Sequence, residues 1–221
     1  GYRRCPRGAL WYPNATVWGA VCGLMWTGGQ VFVLWAFRAW GVSRTMPLTT
    51  ALQLLLNATL GVSLFGEWRA PGALILGVVA LALIMLGAAA CSWQERTGPG
   101  PTAAQRRAGL LATAASAVLY GSYPSLLRAV EVPPAHAVGP MGLGLLAGAG
   151  LPRRARLRGP RIVPAALAGG LWAVGNALML RSTAAVGVAS GFTLSQLGFV
   201  LATLGGLTIL GEERTGRERT A

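Results

Sequence analysis

"GGLWAVGNALMLRSTAAVGVASGFTLSQL", residues 169–197, is mostly apolar, yet it carries Asn176, Ser182, Thr183, Ser190, Thr193, Ser195 and Gln196 and no acid. An earlier stretch, "GLMWTGGQVFVLWAFRAWGVSRTMPLTTALQL" at 23–54, follows the same plan. Trp26 and Trp172 each stand three residues before a Gly–amide pair, Gly29-Gln30 and Gly175-Asn176. Gly41-Val42 matches Gly187-Val188, Thr50-x-x-Gln53-Leu54 matches Thr193-x-x-Gln196-Leu197, and Gly66-Glu67 matches Gly211-Glu212. Chance likeness between two apolar texts does not account for polar matches that keep their order.

The surrounding composition is that of a membrane protein. Of 221 residues, 53% are hydrophobic and 11% charged, and the mean hydropathy is +0.54. A soluble domain carries about 25% charged residues. The 32 glycines suit helices that pack closely in lipid. Apolar runs long enough to cross hydrocarbon, about 20 residues each, fall near 16–37, 43–65, 71–92, 107–128, 134–151, 162–184 and 187–210. They must be helices, because an open sheet leaves its backbone unsatisfied in lipid. The expected fold is therefore all-α, a polytopic bundle of about seven transmembrane helices. The run at 134–151 is the shortest and is rich in Gly and Pro.

The echo then has a topological consequence. Its first occurrence opens on the first helix and its second on the sixth. An odd number of crossings separates them, so the two run in opposite directions. Inverted repeats with a site between them are the architecture of secondary transporters. "QERTGPGPTAAQRR", 94–107, reads as a linker. The expected division is 1–92, the end of a first repeat; 93–106, the linker; and 107–221, a second repeat.

The net charge is +13, every basic residue is Arg, and Lys and Asp do not occur. Such an excess can signal nucleic-acid binding. Here the arginines occupy short gaps between apolar runs, so the positive-inside rule explains them and nucleic acid is not an expected partner. Six fall on one side, Arg3, Arg4, Arg7, Arg69, Arg128 and Arg181, and the other thirteen on the opposite side. The side holding "RRARLRGPR" (153–161) is expected to be cytoplasmic, provided 134–151 is a full span. Cys5, Cys22 and Cys91 show neither disulfide nor zinc spacing. With one His and no Asp, the chain offers no paired acids, nucleophile–base set or phosphate loop. No enzyme, catalytic residue, metal or cofactor is expected.

A neutral polyhydroxylated substrate needs groups that both donate and accept, and a flat apolar plate. Gln30, Gln53, Asn176, Ser195 and Gln196 are the right types, with Trp26 and Trp172 as plates. Two plainer readings stand beside this one. Ser and Thr can bond across helices as glue, worth about 0.6 kcal/mol each, and Trp can anchor a helix at the membrane surface. Glu67 and Glu212 end their helices at matching points and read either as solvated loop acids or as gate or coupling residues. His136, the one histidine, is the remaining coupling candidate. Pro47 is either in the first turn of its helix, where it is harmless, or deeper, where it frees a carbonyl.

"GVSRTMP" (41–47), "GFTLSQLG" (191–198) and "TLGGLTILGEERT" (203–215), with "GLWAVGN" (170–176), "SAVLYGSY" (116–123) and "AHAVGPM" (135–141), resemble the glucose and ribose porter family. These are bacterial glucose-uptake proteins of the drug/metabolite transporter superfamily. The resemblance runs from about residue 15 to the end. It implies a ten-helix pair of inverted five-helix repeats, of which this chain would be a fragment lacking two helices at its start and one at its end. It also implies uptake of a sugar such as glucose across the cell membrane, coupled to protons. Phe32, Val33, Ala184, Ala185 and His136 depart from the family's usual residues and bear on which sugar. The competing reading is an exporter or permease on the same fold for another small polar metabolite.

Overall fold

The computed structural model describes residues 13–92, 101–150 and 162–196. It is all helical there: α1 Pro13–Trp40, α2 Val42–Phe65, α3 Ala73–Ser92, α4 Ala103–Ala129, α5 Pro134–Ala149, α6 Ile162–Val186 and α7 Val188–Ser195. Helix α4 starts four residues before the expected 107. Its start is fixed by a capping box: the Thr102 hydroxyl accepts from the Gln105 amide at 3.3 Å, and the Gln105 side chain accepts from the Thr102 amide at 2.8 Å. The "TAAQ" signal was legible, but the Gly-Pro breakers beside it hid it. Much of the expected 187–210 run, with Glu212 and the arginine-rich 153–161, lies outside the described residues.

Five helices, α1, α2, α3, α4 and α6, are long and apolar enough to cross a membrane. Helix α5, with 16 residues, reaches about 24 Å at 1.5 Å per residue, against about 30 Å of hydrocarbon. Among the described residues five helices thus meet the length, and most of the seventh expected run lies outside them. The segment 153–161, whose expected side depends on 134–151 crossing the membrane, lies outside the described residues.

The distribution of polarity is that of a membrane bundle. Large apolar side chains point outward, including Leu74, Ile75, Leu76, Leu83 and Leu86 on α3 and Leu167, Leu171 and Leu178 on α6. Thr45, Thr49, Asn57, Thr113, Ser116, Asn176 and Thr183 are buried. Lipid solvates the first set, and the second must find partners inside. The chain is an all-α polytopic membrane protein.

Helix α1 is held chiefly by α4 and α5. At Gly23 an added Cβ would lie 2.2 Å from the Met141 carbonyl oxygen, and at Gly144 one would lie 2.1 Å from that of Ala20. The two backbones touch, so only glycine fits at this crossing. Helix α2 packs on α4, α3 and α7. One glycine separates α1 from α2 and one separates α6 from α7. Gly41 has φ 97° and ψ 158°, and Gly187 has φ 99° and ψ 161°, a region open to glycine and almost closed to other residues. Pro47 is the sixth residue of α2, beyond the first turn, so its missing N–H leaves a carbonyl without its helical donor.

Candidate functional site

Many serines and threonines on these helices bond within their own helix. Thr45 donates to the Gly41 carbonyl at 2.7 Å, Thr113 to Gly109 at 2.7 Å, Ser122 to Val118 at 2.6 Å and Thr193 to Ala189 at 2.6 Å. Each hydroxyl is satisfied one turn back on its own helix. Ser195 follows suit, donating to the Phe192 carbonyl at 2.6 Å. Thr49, Ser116 and Ser125 are buried without a hydrogen-bond partner among the described residues, and Thr49 and Thr50 join the amides and aromatics around the interior.

A cavity of about 600 Å³ lies between α1, α2, α4, α6 and α7, within the usual range for small-molecule sites. Gln30, Gln53, Asn176, Ser195, Gln196, Trp26 and Trp172 all line it. The described residues around it are neutral: amides, hydroxyls, aromatics and aliphatics, with no acid and no Arg. Trp26 and Trp172 sit midway along α1 and α6, so they are not surface anchors. Their ring centroids are 4.5 Å apart at 56°, and Trp26 also meets Tyr120 at 5.4 Å.

Two tyrosines that sequence reasoning passed over complete the wall. Tyr120 and Tyr123 are spaced i, i+3 on α4 and so share a face. The Tyr120 hydroxyl donates to Gln30 Oε1, and the Tyr123 hydroxyl donates to Asn176 Oδ1 at 2.7 Å. Asn176 Nδ2 in turn reaches the Met141 sulfur at 3.3 Å. A buried tyrosine hydroxyl needs a partner. Paired tyrosines on an apolar helix, in a chain with paired amides, were the available signal. Gln53 makes no side-chain hydrogen bond among the described residues. Gln196 has one long contact, its Nε2 to Ser195 Oγ at 3.3 Å.

The gate or coupling candidates do not line this cavity. His136 lies exposed on the first turn of α5. Glu67, just past the end of α2, accepts from the backbone N–H groups of Val188 at 2.7 Å and Ala189 at 2.8 Å, and pairs with Arg128 at the end of α4. It is therefore no solvated loop acid; its side chain is 10% exposed. The carboxylate caps the first turn of α7, where the helix dipole favours a negative charge. Arg128 also lies 4.3 Å over the Phe65 ring. This clasp depends on glycine, since a Cβ at Gly61 or Gly187 would fall 2.7 Å from the Glu67 carboxyl group. Among the described residues no cluster of potential ligands could hold a metal ion.

The family profile described as "Sugar transport protein" matches residues 10–221. The chain is 36% identical over 205 residues to a putative sugar uptake protein of Listeria innocua, an alignment covering 90% of this chain and 70% of that protein. It is 36% identical to a probable glucose uptake protein of Bacillus cereus, covering 91% and 71%. It is 35% identical to a glucose uptake protein of Bacillus subtilis, covering 92% and 71%. No solved structure matches.

Proposed function

Because the chain belongs to the sugar transport protein family, we propose that its neutral cavity binds a sugar and carries it inward across the cell membrane. The observation that carries this reading is the chemistry of the wall. Amides and hydroxyls can bond sugar hydroxyls in both senses, and the Trp26–Trp172 pair offers an apolar face to a sugar ring. A neutral wall also disfavours charged metabolites, which would be desolvated there without a counter-charge. The relatives' printed names, sugar and glucose uptake proteins, point the same way.

The transport cycle we envisage uses two inverted repeats of five helices, α1–α2 and α6–α7 being equivalent parts of them, with the cavity between. Glu67 then serves as a gate, because its carboxylate ties the end of α2 to the start of α7 across the two halves. Glu212 is its sequence counterpart. Proton coupling in this cycle runs outside the cavity wall, through Glu67, Glu212 or His136.

The test is uptake of radiolabelled glucose and related sugars by vesicles carrying the full-length protein. Asn176→Leu and Gln30→Leu are each expected to lower uptake at least about tenfold, since a substrate hydroxyl then enters without its partner. Membrane insertion and folded yield should be retained. Normal transport by both variants, or efflux of a different metabolite in the same vesicles, would overturn the assignment.

A further inference from the structure

The four amides around the cavity are not equivalent. Gln53 and Gln196 are free to turn either end towards a ligand. Gln30 and Asn176 are not, because each amide oxygen receives a tyrosine hydroxyl from α4. A tyrosine has one proton to donate. Donated to Oε1 or Oδ1, it holds that carbonyl against α4 and fixes the opposite, N–H end of the amide. Tyr123 is 4% exposed and Asn176 7%, so water does not compete for this bond. The Asn176 amide gives one N–H towards Met141 and keeps a second for the cavity it lines. Gln30 Nε2 has no protein partner among the described residues.

We propose that Tyr120 and Tyr123 are positioning residues that set substrate specificity, by locking Gln30 and Asn176 so that both present N–H donors to the cavity. The inference rests on the sugar-binding reading above and goes beyond it. At two points the substrate is recognised as a hydrogen-bond acceptor, while at Gln53 and Gln196 it can act in either sense. The substrate class is thus a neutral polyol with two acceptor oxygens spaced to meet α1 and α6. Each tyrosine hydroxyl acts through its amide, while the rings form part of the wall. Tyr120 in addition supports Trp26, which its ring meets.

Replacing a sugar hydroxyl by fluorine keeps a weak acceptor and removes the donor, whereas replacing it by hydrogen removes both. The experiment measures competition by monofluoro and deoxy analogues, hydroxyl by hydroxyl, against labelled sugar in vesicles with the full-length transporter. At two hydroxyls the fluoro analogue should compete about fivefold better than the deoxy analogue, the worth of one hydrogen bond. Tyr120→Phe should abolish that preference at one of these hydroxyls and Tyr123→Phe at the other, with KM rising more than kcat falls. Both variants keep the ring, and thermal unfolding in detergent checks the fold. A merely structural tyrosine would lower uptake of all analogues alike, and that outcome overturns the proposal, as does a wild type with no fluoro preference. A second measurement separates this idea from the sugar assignment. The Raman tyrosine doublet, taken as wild type minus each Phe variant, should report a hydroxyl acting as donor whatever the substrate is. An acceptor signature sinks the proposal even if sugar is transported, while a protein that moves no sugar fails the functional reading first.

Discussion

Helices α1 and α6 carry the same text, a Trp, then Gly-amide, then a helix-ending glycine, but they have different neighbours. In α1 that text is enclosed. Gly23 meets the α5 backbone, and Gly29 lies against the Tyr120 ring, 3.0 Å from where its Cβ would be. In α6 the corresponding Gly169 and Gly175 have nothing within 4 Å of an added Cβ among the described residues. The side turned to the cavity is nonetheless alike, with Trp beside Trp and each amide under a tyrosine. Local sequence thus governs where a helix breaks and what it shows the cavity. What covers its back is a property of the neighbours.

The contrast breaks most sharply at the outer faces. Gly23→Leu should destabilise the protein by about 3 kcal/mol or more, because backbone on α5 cannot yield as a side chain would. Gly169→Leu should stay within about 0.5 kcal/mol, the usual range for an uncrowded surface position. Thermal unfolding in detergent, run on both variants side by side, measures this. An equal loss at Gly169 would mean that this face of α6 is covered by protein.

A somewhat smaller effect is expected at the clasp that joins the two regions. Glu67→Ala removes a carboxylate that accepts from two backbone N–H groups and from Arg128. The expected loss is about 3 kcal/mol, since the first turn of α7 is left without its acceptor. Arg128→Ala should lose only about 1 kcal/mol. Arg128 is 31% exposed, so water screens the pair, and Glu67 keeps both backbone donors. Equal losses would show that the ion pair, not the helix cap, holds α7. Denaturant titration of the two variants decides between them.

The sequence made the periodic parts of the molecule legible. Six of the seven helices lie within a few residues of their expected positions, because each is an apolar run closed by Gly, Pro or charge. Helix α5 is already marked in the sequence as the shortest run, and its 16 residues make it the shortest of the first six helices. The amides and tryptophans around the cavity could be picked out because an amide in hydrocarbon must face protein or water. Tyr120 and Tyr123 were harder to pick out, because a single tyrosine in a membrane helix fits an interfacial position equally well and only their i, i+3 pairing marks them. Glu67 illustrates the limit. Its sequence mark, the end of a helix, suits a loop acid, and only the packing of α7 against α2 reveals the donors it serves.

The finest distinction between the two regions lies at their matched breaks. Gly41→Ala and Gly187→Ala each force a side chain into a backbone region reserved for glycine, costing about 1–3 kcal/mol. That cost should be common to both, because the dihedral angles agree within a few degrees. The surroundings differ. Among the described residues nothing lies within 4 Å of a Cβ at Gly41, whereas one at Gly187 would sit 2.7 Å from the Glu67 carboxyl carbon. Gly187→Ala must therefore push the carboxylate away from the Val188 and Ala189 amides. The expected excess over Gly41→Ala is about 1.5 kcal/mol, the worth of one charge-assisted hydrogen bond. A double-mutant cycle isolates it. In a Glu67→Ala background there is no carboxylate to displace, so the two glycine substitutions should cost the same. If the excess survives there, the difference between the breaks comes from backbone strain, and Gly187 is not kept small for the sake of Glu67.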